Sequence, residues 1–327
     1  MEYRKQNRIA NWVSAISAVI LITLMVGISE LAGNREIIFP EIAALTVGYL
    51  CAPKQKWRVS SFRMLLLISG GAVVGLLISM FLPGSLYLKL LAAFLIAQIV
   101  YLYSGTSLAP LISAIVLPVL LQSESWAYVL SAATMTLLIV LLHVVLVKAG
   151  FRPREKFQPV PRPNRAAVIR VFWRLLIVAI LAVPALRTEW RFLIAPPMLV
   201  AFTELMENWT PESPIKPHWA VLLLTACAGI GAGCRYILVT MAGLPLTLAA
   251  AFAGILMLIV LYGTKQFLPP AGAMTVLAML IPESAVPLYT AEVAVGASAL
   301  VSVVVLTYYV SVRVRGRAEE GEEEEPA

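Results

Sequence analysis

The sequence predicts an all-α, polytopic membrane protein with about 12 membrane elements, arranged as two parallel six-element repeats with two short, broken helices in each. Three observations support this prediction. The 327 residues are 60% hydrophobic and only 13% charged, whereas a soluble domain carries about 25% charged residues. Apolar runs long enough to cross a hydrocarbon core of about 30 Å recur along the whole chain. The two halves of the chain also share a pattern of prolines and glycines.

The hydropathy pattern places six elements in each half. In the first half they cover residues 10–31, 38–52, 63–82, 86–104, 107–121 and 125–148. In the second half they cover residues 168–186, 192–206, 218–240, 244–264, 269–282 and 286–312. The first run is long for a signal peptide and has no clear cleavage site, so we expect it to remain as a span.

These elements divide the chain into four segments. Residues 1–148 form the first membrane repeat and residues 168–313 form the second. Between them, residues 149–167 are rich in proline and arginine, a composition typical of an extended linker. Residues 314–327 end in a run of glutamates, which predicts an acidic, disordered tail.

Clusters of lysine and arginine predict the orientation. They occur at the N-terminus, after the second element, in the linker and after the last element. All four clusters fall on one side only if every element crosses, and the positive-inside rule makes that side cytoplasmic. We therefore expect a multi-pass protein of the plasma (inner) membrane of a prokaryote, with both termini in the cytoplasm.

The internal repeat has an offset of about 158 residues. FPEIAALTVG (39–48) aligns with PPMLVAFTEL (196–205), and LAPLISAIVLPVLLQSES (108–125) aligns with LPPAGAMTVLAMLIPES (268–284). Because each repeat has an even number of crossings, we expect a two-fold axis along the membrane normal. If one short element per repeat did not cross, the repeats would be inverted instead.

Two elements in each repeat are too short to cross as regular helices. Each has about 15 residues or fewer and covers roughly 20–23 Å. The remaining chain must be buried in protein or line a wet cavity, because lipid cannot satisfy free backbone groups. Prolines introduce the helical part of each short element, a position that proline favours. These prolines are Pro40, Pro110, Pro196, Pro197, Pro269 and Pro270.

The helix that begins at Pro269 and Pro270 is the main candidate binding site. A helix that starts inside the membrane presents unpaired amide groups and the positive end of its dipole. The small residues Ala271, Gly272 and Ala273 would let an anion approach that backbone closely. The structural alternative is that the prolines only kink packed helices.

Polar residues in the apolar runs complete the predicted substrate-binding set. Thr46, Thr203 and Thr275 supply candidate hydroxyl groups. Glu41 and Glu292 are candidates to bind a proton or a coupling cation, because carboxylates are costly at membrane depth. The glycine-containing runs at 69–75 and 229–233 indicate close helix packing.

The sequence contains no motif of an enzyme or of a cofactor site. It has no Walker A sequence, no Gly-x-Ser-x-Gly and no Cys-x-x-Cys, and neither of its two histidines has a second metal ligand nearby. We therefore expect no catalytic residue, no cofactor, no metal and no nucleic-acid partner. The expected partners are the lipid bilayer and a small, anionic substrate, and a homodimer is one assembly open to such a fold.

The second half resembles the HPP-family membrane proteins. That family is named for His-Pro-Pro, which is followed by Ala-Gly-Ala; residues 269–273 match this motif, and Leu268 stands in place of the histidine. The resemblance covers residues 192–312 and includes FLIAPPMLVAFTEL. Some members are associated with nitrite transport, so the resemblance implies an anion carrier. Parts of the first repeat also look like the membrane domains of aromatic-acid exporters.

These features together predict a secondary transporter or channel-like carrier of a small solute, with an anion such as nitrite as the expected substrate. The alternatives are an exporter of aromatic or other organic acids and a scaffold subunit that transports nothing.

Overall fold

The computed structural model describes residues 2–153, 155–213 and 215–323, and it describes only the backbone of residues 2–8 and 314–323. Over these residues the chain forms 12 α-helices and no β-strand. The helices are α1 (Glu2–Ala32), α2 (Glu41–Leu45), α3 (Ser61–Phe81), α4 (Leu86–Tyr103), α5 (Pro110–Leu120), α6 (Ala127–Lys148), α7 (Arg165–Arg187), α8 (Pro196–Asn208), α9 (Pro217–Cys234), α10 (Leu246–Thr264), α11 (Pro269–Leu280) and α12 (Val286–Glu323). The prediction of an all-helical protein is confirmed.

Short irregular helices extend several of these elements. A π-helix continues α2 through Thr46–Cys51, and another continues α9 through Arg235–Met241. Single 3-10 turns at Arg35–Ile37, Arg191–Ile194 and Glu283–Ala285 precede α2, α8 and α12. The irregular backbone therefore lies next to the short helices or at the end of a long one.

Eight of the described helices are long and apolar enough to span a membrane. They cover Ile9–Ala32, Ser61–Phe81, Leu86–Tyr103, Ala127–Lys148, Arg165–Arg187, Pro217–Met241, Leu246–Thr264 and Glu283–Arg313. The protein is therefore of the helical, multi-pass membrane class. Eight helices, and not the expected 12, meet this length, because α2, α5, α8 and α11 have only 5, 11, 13 and 12 residues.

Two predicted boundaries differ from the structure. Helix α7 begins at Arg165, inside the segment predicted to be a linker. Helix α12 continues to Glu323, into the segment predicted to be a disordered tail. Arginine, alanine and glutamate all have high helix propensity, which favours both extensions. Residues 324–327 of the predicted tail lie outside the described residues.

The four short helices form the centre of the molecule. Every residue of α2, α5 and α11 is buried, as are residues 196–203 of α8. The long helices bury only 28–39% of their most apolar segments. The long helices thus form a wall with one apolar face turned outward, and the short helices lie inside it.

The two halves of the chain interlock. Helix α2 packs against α11, and α5 packs against α8, so short helices of different halves meet in the core. Outside them, α1 packs against α10 and α4 packs against α7. Each half therefore completes the wall around the other, and neither half encloses its own short helices alone.

Two glycines allow short helices to approach long ones closely. A Cβ atom at Gly75 of α3 would lie 2.9 Å from the carbonyl carbon of Ile115 in α5. A Cβ atom at Gly231 of α9 would lie 3.0 Å from the carbonyl carbon of Thr275 in α11. Small residues at such positions let the two backbones pack directly, as the glycine-containing runs predict.

Hydrogen bonds between loops define two opposite ends of the helix bundle. At one end, which we call the linker face, residues 149–164 meet the loops at 52–60 and 104–109: the amide of Val160 donates to the carbonyl oxygen of Gly105 at 3.0 Å. At the other end, the opposite face, Ser125 donates its amide to Glu36 at 3.1 Å. Glu30 at the end of α1 accepts from the first amides of α10 there.

The packing at Gly231 gives a testable prediction. Gly231→Val places a side chain against the Thr275 carbonyl group, and we expect it to lower the free energy of unfolding by about 1–3 kcal/mol. Thermal unfolding of the detergent-solubilised protein measures this change. Gly233→Val is the matched control, because a Cβ atom there meets open space. Equal stability of the two variants would contradict the close packing.

Candidate functional site

Of the polar cavities among the described residues, two are lined by both halves of the chain, one at each face of the core. The cavity on the linker face has a volume of about 220 Å³. Its walls contain Lys56, Trp57, Tyr101, Ser107, Glu204, Leu205, Asn208, Trp209, Ser213, Ile215 and Leu268. The cavity on the opposite face has a volume of about 400 Å³. Its walls contain Leu120, Leu121, Thr188, Glu189, Arg191, Phe192, Pro282, Ser284, Ala285, Leu288 and Glu292.

A larger groove lies on the outer wall of the protein, between α1 and α10. Its volume is about 530 Å³, and its lining is almost entirely apolar, including exposed side chains such as Trp12, Ile16 and Ile259. A surface of this kind fits the acyl chains of the surrounding lipid. We therefore assign the candidate functional site to the two smaller, polar cavities.

Glu292 is the predicted site residue that the structure places most clearly in a cavity. Its side chain is fully buried in α12 and lines the cavity on the opposite face. One carboxyl oxygen accepts a hydrogen bond of 2.7 Å from the amide of Phe192, and the other oxygen has no partner among the described residues. A buried carboxyl group with an open acceptor is suited to bind a proton or a cation.

Glu41 is also buried, but it faces a neighbouring helix. It is the first residue of α2, and one carboxyl oxygen accepts a hydrogen bond from the hydroxyl of Ser113 in α5. Its second oxygen has no partner among the described residues. The structure therefore puts the two predicted carboxyl groups in different surroundings: Glu41 between two short helices, and Glu292 at the wall of a cavity.

The first turn of α11 contacts protein on all sides. Pro269 and Pro270 have no amide hydrogen, and the amide of Ala271 donates to the carbonyl oxygen of Leu268 at 3.1 Å. A Cβ atom at Gly272 would lie 3.1 Å from the carbonyl oxygen of Ala43 in α2. The need for a small residue at Gly272 is thus explained by the contact of α11 with α2, and an anion site on this backbone stays a prediction.

The predicted hydroxyl groups are occupied by hydrogen bonds within the protein. Thr46 donates to the carbonyl oxygen of Ala43 at 2.9 Å, and Thr275 donates to that of Cys227 at 3.0 Å. Thr203 donates to a carbonyl oxygen in its own helix and accepts from a side chain of α4. Thr203 and Thr275 thus bond short helices to long ones, whereas the bond of Thr46 lies within its own helical segment.

The remaining prolines also lie in the buried core. Pro110 begins α5, and Pro196 and Pro197 begin α8, as the pattern predicts, while Pro40 directly precedes α2. All four are buried. Their position at the start of a helix places the helix boundary inside the protein.

A buried charge network in α4, α7 and α8 was missed by sequence reasoning. The fully buried guanidinium of Arg174 forms an ion pair with Glu207 and donates to the amide oxygen of Gln98 at 2.8 Å. Gln98 donates in turn to Thr203 at 2.9 Å, and Arg170 forms a second ion pair with Glu207 at 2.9 Å. The only available signal was the spacing of two arginines one helical turn apart inside an apolar run.

The second missed feature is a hydrogen bond on the linker face. The indole N–H of Trp57 donates to a carboxylate oxygen of Glu204 at 2.6 Å. Lys56 lies beside this pair. Partial desolvation lowers the pKa of Lys56, whereas the nearby Glu204 carboxylate raises it by a smaller amount. Trp57 precedes α3 and Glu204 lies near the end of α8, so no local pattern connects them.

The cavities contain no arrangement typical of a metal site. Across the residues that the structure describes, no group of three or more histidine, cysteine, aspartate or glutamate side chains is placed to hold a metal ion. The charged groups of the two cavities are Lys56 and Glu204 on the linker face and Glu189, Arg191 and Glu292 on the opposite face, which could bind a solute or a proton.

The fold and its two cavities define a helical, multi-pass membrane protein with a polar entrance at each face. No protein-family model matches this chain, and no curated protein or solved structure is significantly similar to it. Membership of the HPP family stays a prediction from the sequence patterns in the second half, above all from residues 269–273.

The charge network gives a prediction about stability. Arg174→Gln leaves Glu207 with Arg170 as its only partner in the network, and we expect the free energy of unfolding to fall by about 3 kcal/mol. Arg170→Gln is the comparison, because that side chain is 36% exposed and exposed ion pairs contribute about 0–1 kcal/mol. Chemical unfolding in detergent measures both variants. If both variants lost a similar free energy of unfolding, the burial of Arg174 would not determine how much its ion pair contributes to stability.

Proposed function

We propose that this protein is a secondary transporter or channel-like carrier of a small solute, with an anion such as nitrite as the first candidate substrate. The observation that carries this proposal is the pair of polar cavities, which enter the core from opposite faces and are separated by buried short helices. Binding sites of secondary transporters lie in such a position, between discontinuous helices near the middle of the membrane.

We further propose that the four short helices also run from one face to the other, which gives 12 crossing elements. Helix α5 supports this: the loop before it bonds to Arg58 on the linker face, and the loop after it bonds to Glu36 on the opposite face. Helix α11 follows the same course, because Leu268 lines one cavity and Pro282 lines the other. Surrounding protein replaces the lipid contacts that these helices are too short to make.

Matched contacts support the proposal that the halves are two parallel repeats. The hydroxyl of Tyr128 in α6 donates to the carbonyl oxygen of Ala114 in α5 at 3.1 Å. The hydroxyl of Tyr289 in α12 donates to the carbonyl oxygen of Met274 in α11 at 2.8 Å. In both halves, the last long helix is thus bonded to the middle of the second short helix.

Two further pairs of contacts extend this match. Phe39 and Phe192, which precede the first short helix of each half, pack edge-to-face on these tyrosines with ring centroids 5.7 and 5.6 Å apart. The contact of Gly75 with a carbonyl group of α5 corresponds to that of Gly231 with α11. The match therefore pairs Gly75 with Gly231, two residues from Gly233, which the sequence offset of about 158 residues would pair with Gly75.

The two halves differ at one functionally important position. Three residues after each tyrosine, the first half has Ser131 and the second half has Glu292. Ser131 donates to the carbonyl oxygen of Ile37 at 2.5 Å, whereas Glu292 accepts from the amide of Phe192. A titratable group thus occupies only the second of two corresponding sites, as expected for a single proton- or cation-binding position.

The choice of an anion rests on the family resemblance; each cavity also has one basic residue, Lys56 or Arg191, beside its glutamates. Each basic side chain can form a charge-assisted hydrogen bond with a bound anion. A proton on Glu292 would accompany the anion and reduce the net charge that moves. We place the linker face, both termini and the basic clusters in the cytoplasm of a prokaryotic cell with the protein in its plasma membrane.

One observation favours an exporter of aromatic or other organic acids as the second candidate. The linker-face cavity contains the aromatic side chains of Trp57, Tyr101 and Trp209 beside Lys56. This combination fits an aromatic carboxylate, because the ring can stack while the ammonium group pairs with the acid. A scaffold subunit that transports nothing is the outcome if no solute crosses.

Flux into proteoliposomes tests the function. We expect uptake of at least one anion from a panel of nitrite, nitrate, formate and aromatic carboxylates, and faster uptake with an inward proton gradient. Glu292→Gln should remove the effect of the gradient, because an amide does not titrate in this range. The control is Glu212→Gln, at an exposed position outside both cavities. Folded protein without flux for any solute would overturn the transport function.

Labelling of single cysteines tests the topology. In a variant without Cys51, Cys227 and Cys234, new cysteines at the exposed positions Lys54 and Glu124 should react with an impermeant reagent from opposite sides of the membrane. If the short helices did not cross, both positions would lie on the same side. Labelling of both from one side would therefore contradict the 12 crossings and the parallel repeats.

A further inference from the structure

The loop between α2 and α3 holds one buried aromatic residue among exposed ones. Lys54, Lys56 and Arg58 are exposed, whereas Trp57 is only 4% exposed. Its ring lies against Gly48 in the π-helical continuation of α2. A Cβ atom at Gly48 would lie 2.5 Å from the Trp57 ring. A glycine at this position is therefore needed for the indole to fit.

The Trp57 ring lies at the contact between two short helices, α2 of the first half and α11 of the second half. The Cβ position of Gly48 is 3.1 Å from the ring of Pro269, the first residue of α11. Trp57 also lines the linker-face cavity, together with Leu268 at the N-cap of α11. The indole thus lies between the cavity and the contact of α2 with α11.

A single hydrogen bond connects this indole with α8. The Trp57 N–H donates to Glu204 at 2.6 Å, and a hydrogen bond to a carboxylate is roughly twice as strong as a neutral one. Glu204 is partly exposed and lines the cavity, so a solute that enters from the linker face meets this carboxylate directly. The bond joins a loop of the first half to a helix of the second half.

The backbone on each side of Trp57 is anchored separately. The amide of Lys56 donates to the carbonyl oxygen of Gly48 at 3.1 Å, and the amide of Arg58 donates to the hydroxyl of Ser107 at 2.9 Å. Because both neighbours are held, the motion with the fewest broken contacts is rotation of the Trp57 side chain. That rotation breaks the bond to Glu204 and removes the indole ring from its contact with Gly48.

From these contacts we infer that Trp57 is the gate at the linker face of the transport path, and that Glu204 holds this gate shut. This inference rests on the transport function proposed above. Rotation of the Trp57 side chain, which breaks its bond to Glu204, exposes the contact between α2 and α11. Trp57 and Glu204 are positioning residues, which control access to the core.

Access to a cysteine behind the gate tests this inference without any transported solute. Val47 is fully buried and lies 3.2 Å from the Cβ position of Gly272, inside the contact of α2 with α11. In a background without the three native cysteines, Val47→Cys is treated from the linker face with a small, impermeant methanethiosulfonate reagent. With Trp57 present, we expect slow modification.

Two variants should open the gate and one should keep it shut. Trp57→Phe retains a ring but loses the N–H, and Glu204→Leu retains bulk but loses the acceptor; each should raise the modification rate at least about tenfold. Glu204→Gln retains an acceptor oxygen and should stay near the slow rate. The matched control is Trp209→Phe, because Trp209 lines the same cavity and its indole N–H has no partner among the described residues.

The outcomes separate the gate from the transport function. Slow modification in both Trp57→Phe and Glu204→Leu would overturn the gate, whatever the flux. Fast modification in Glu204→Gln and Trp209→Phe as well would also overturn it, because general loosening would then explain the access. Fast modification in the two opening variants alone supports the gate, and a lack of flux in the same preparations would overturn only the transport function. Size-exclusion chromatography of every variant checks that it is folded.

Discussion

The structure depends on the fact that lipid cannot hydrogen-bond to a free backbone group. Four of the described helices are too short to cross a membrane alone, so the chain at their ends must be surrounded by protein. The long helices supply that surrounding wall, and the interlocked packing of the two halves closes it. The buried prolines, the close contacts at Gly75 and Gly231 and the burial of α2, α5, α11 and most of α8 all follow from this requirement.

Polar side chains inside this wall fall into two groups. The first group has charge partners: the two terminal nitrogens of Arg174 bond to Glu207 and Gln98, which joins three helices at the cost of desolvating the charges. The second group is left open, because Glu41 and Glu292 each have one carboxyl oxygen without a partner among the described residues. Groups with charge partners stabilise the fold, whereas open acceptors in a low-dielectric core are available to a proton or cation. This difference points to the carboxyl groups, and to Glu292 above all, as the titratable part of the proposed transport path.

The two faces of the core close in different ways. On the opposite face, the cavity reaches as far as Glu292 and the amide of Phe192. On the linker face, a single indole lies between the cavity and the contact of the short helices. A carrier needs one barrier on each side of its binding site. On the linker face, rotation of one side chain would open the proposed barrier with less rearrangement than a movement of packed helices requires. In the proposed match of the two halves, Ser131 and Glu292 occupy corresponding positions, and only Glu292 can titrate.

The sequence by itself determined the helical membrane class, the four short elements, the prolines at their start and the glycines that allow close packing. Composition, helix length and proline geometry are local properties, so they can be read from the chain directly. Only the tertiary structure decided what these residues contact. It placed Gly272 against the carbonyl group of Ala43. This residue, which the sequence predicts to bind an anion, therefore has a packing role between α11 and α2. The tertiary structure also joined Trp57 to Glu204, two residues 147 positions apart. No periodicity connects positions so distant, because their contact arises only when helices of the two halves pack together.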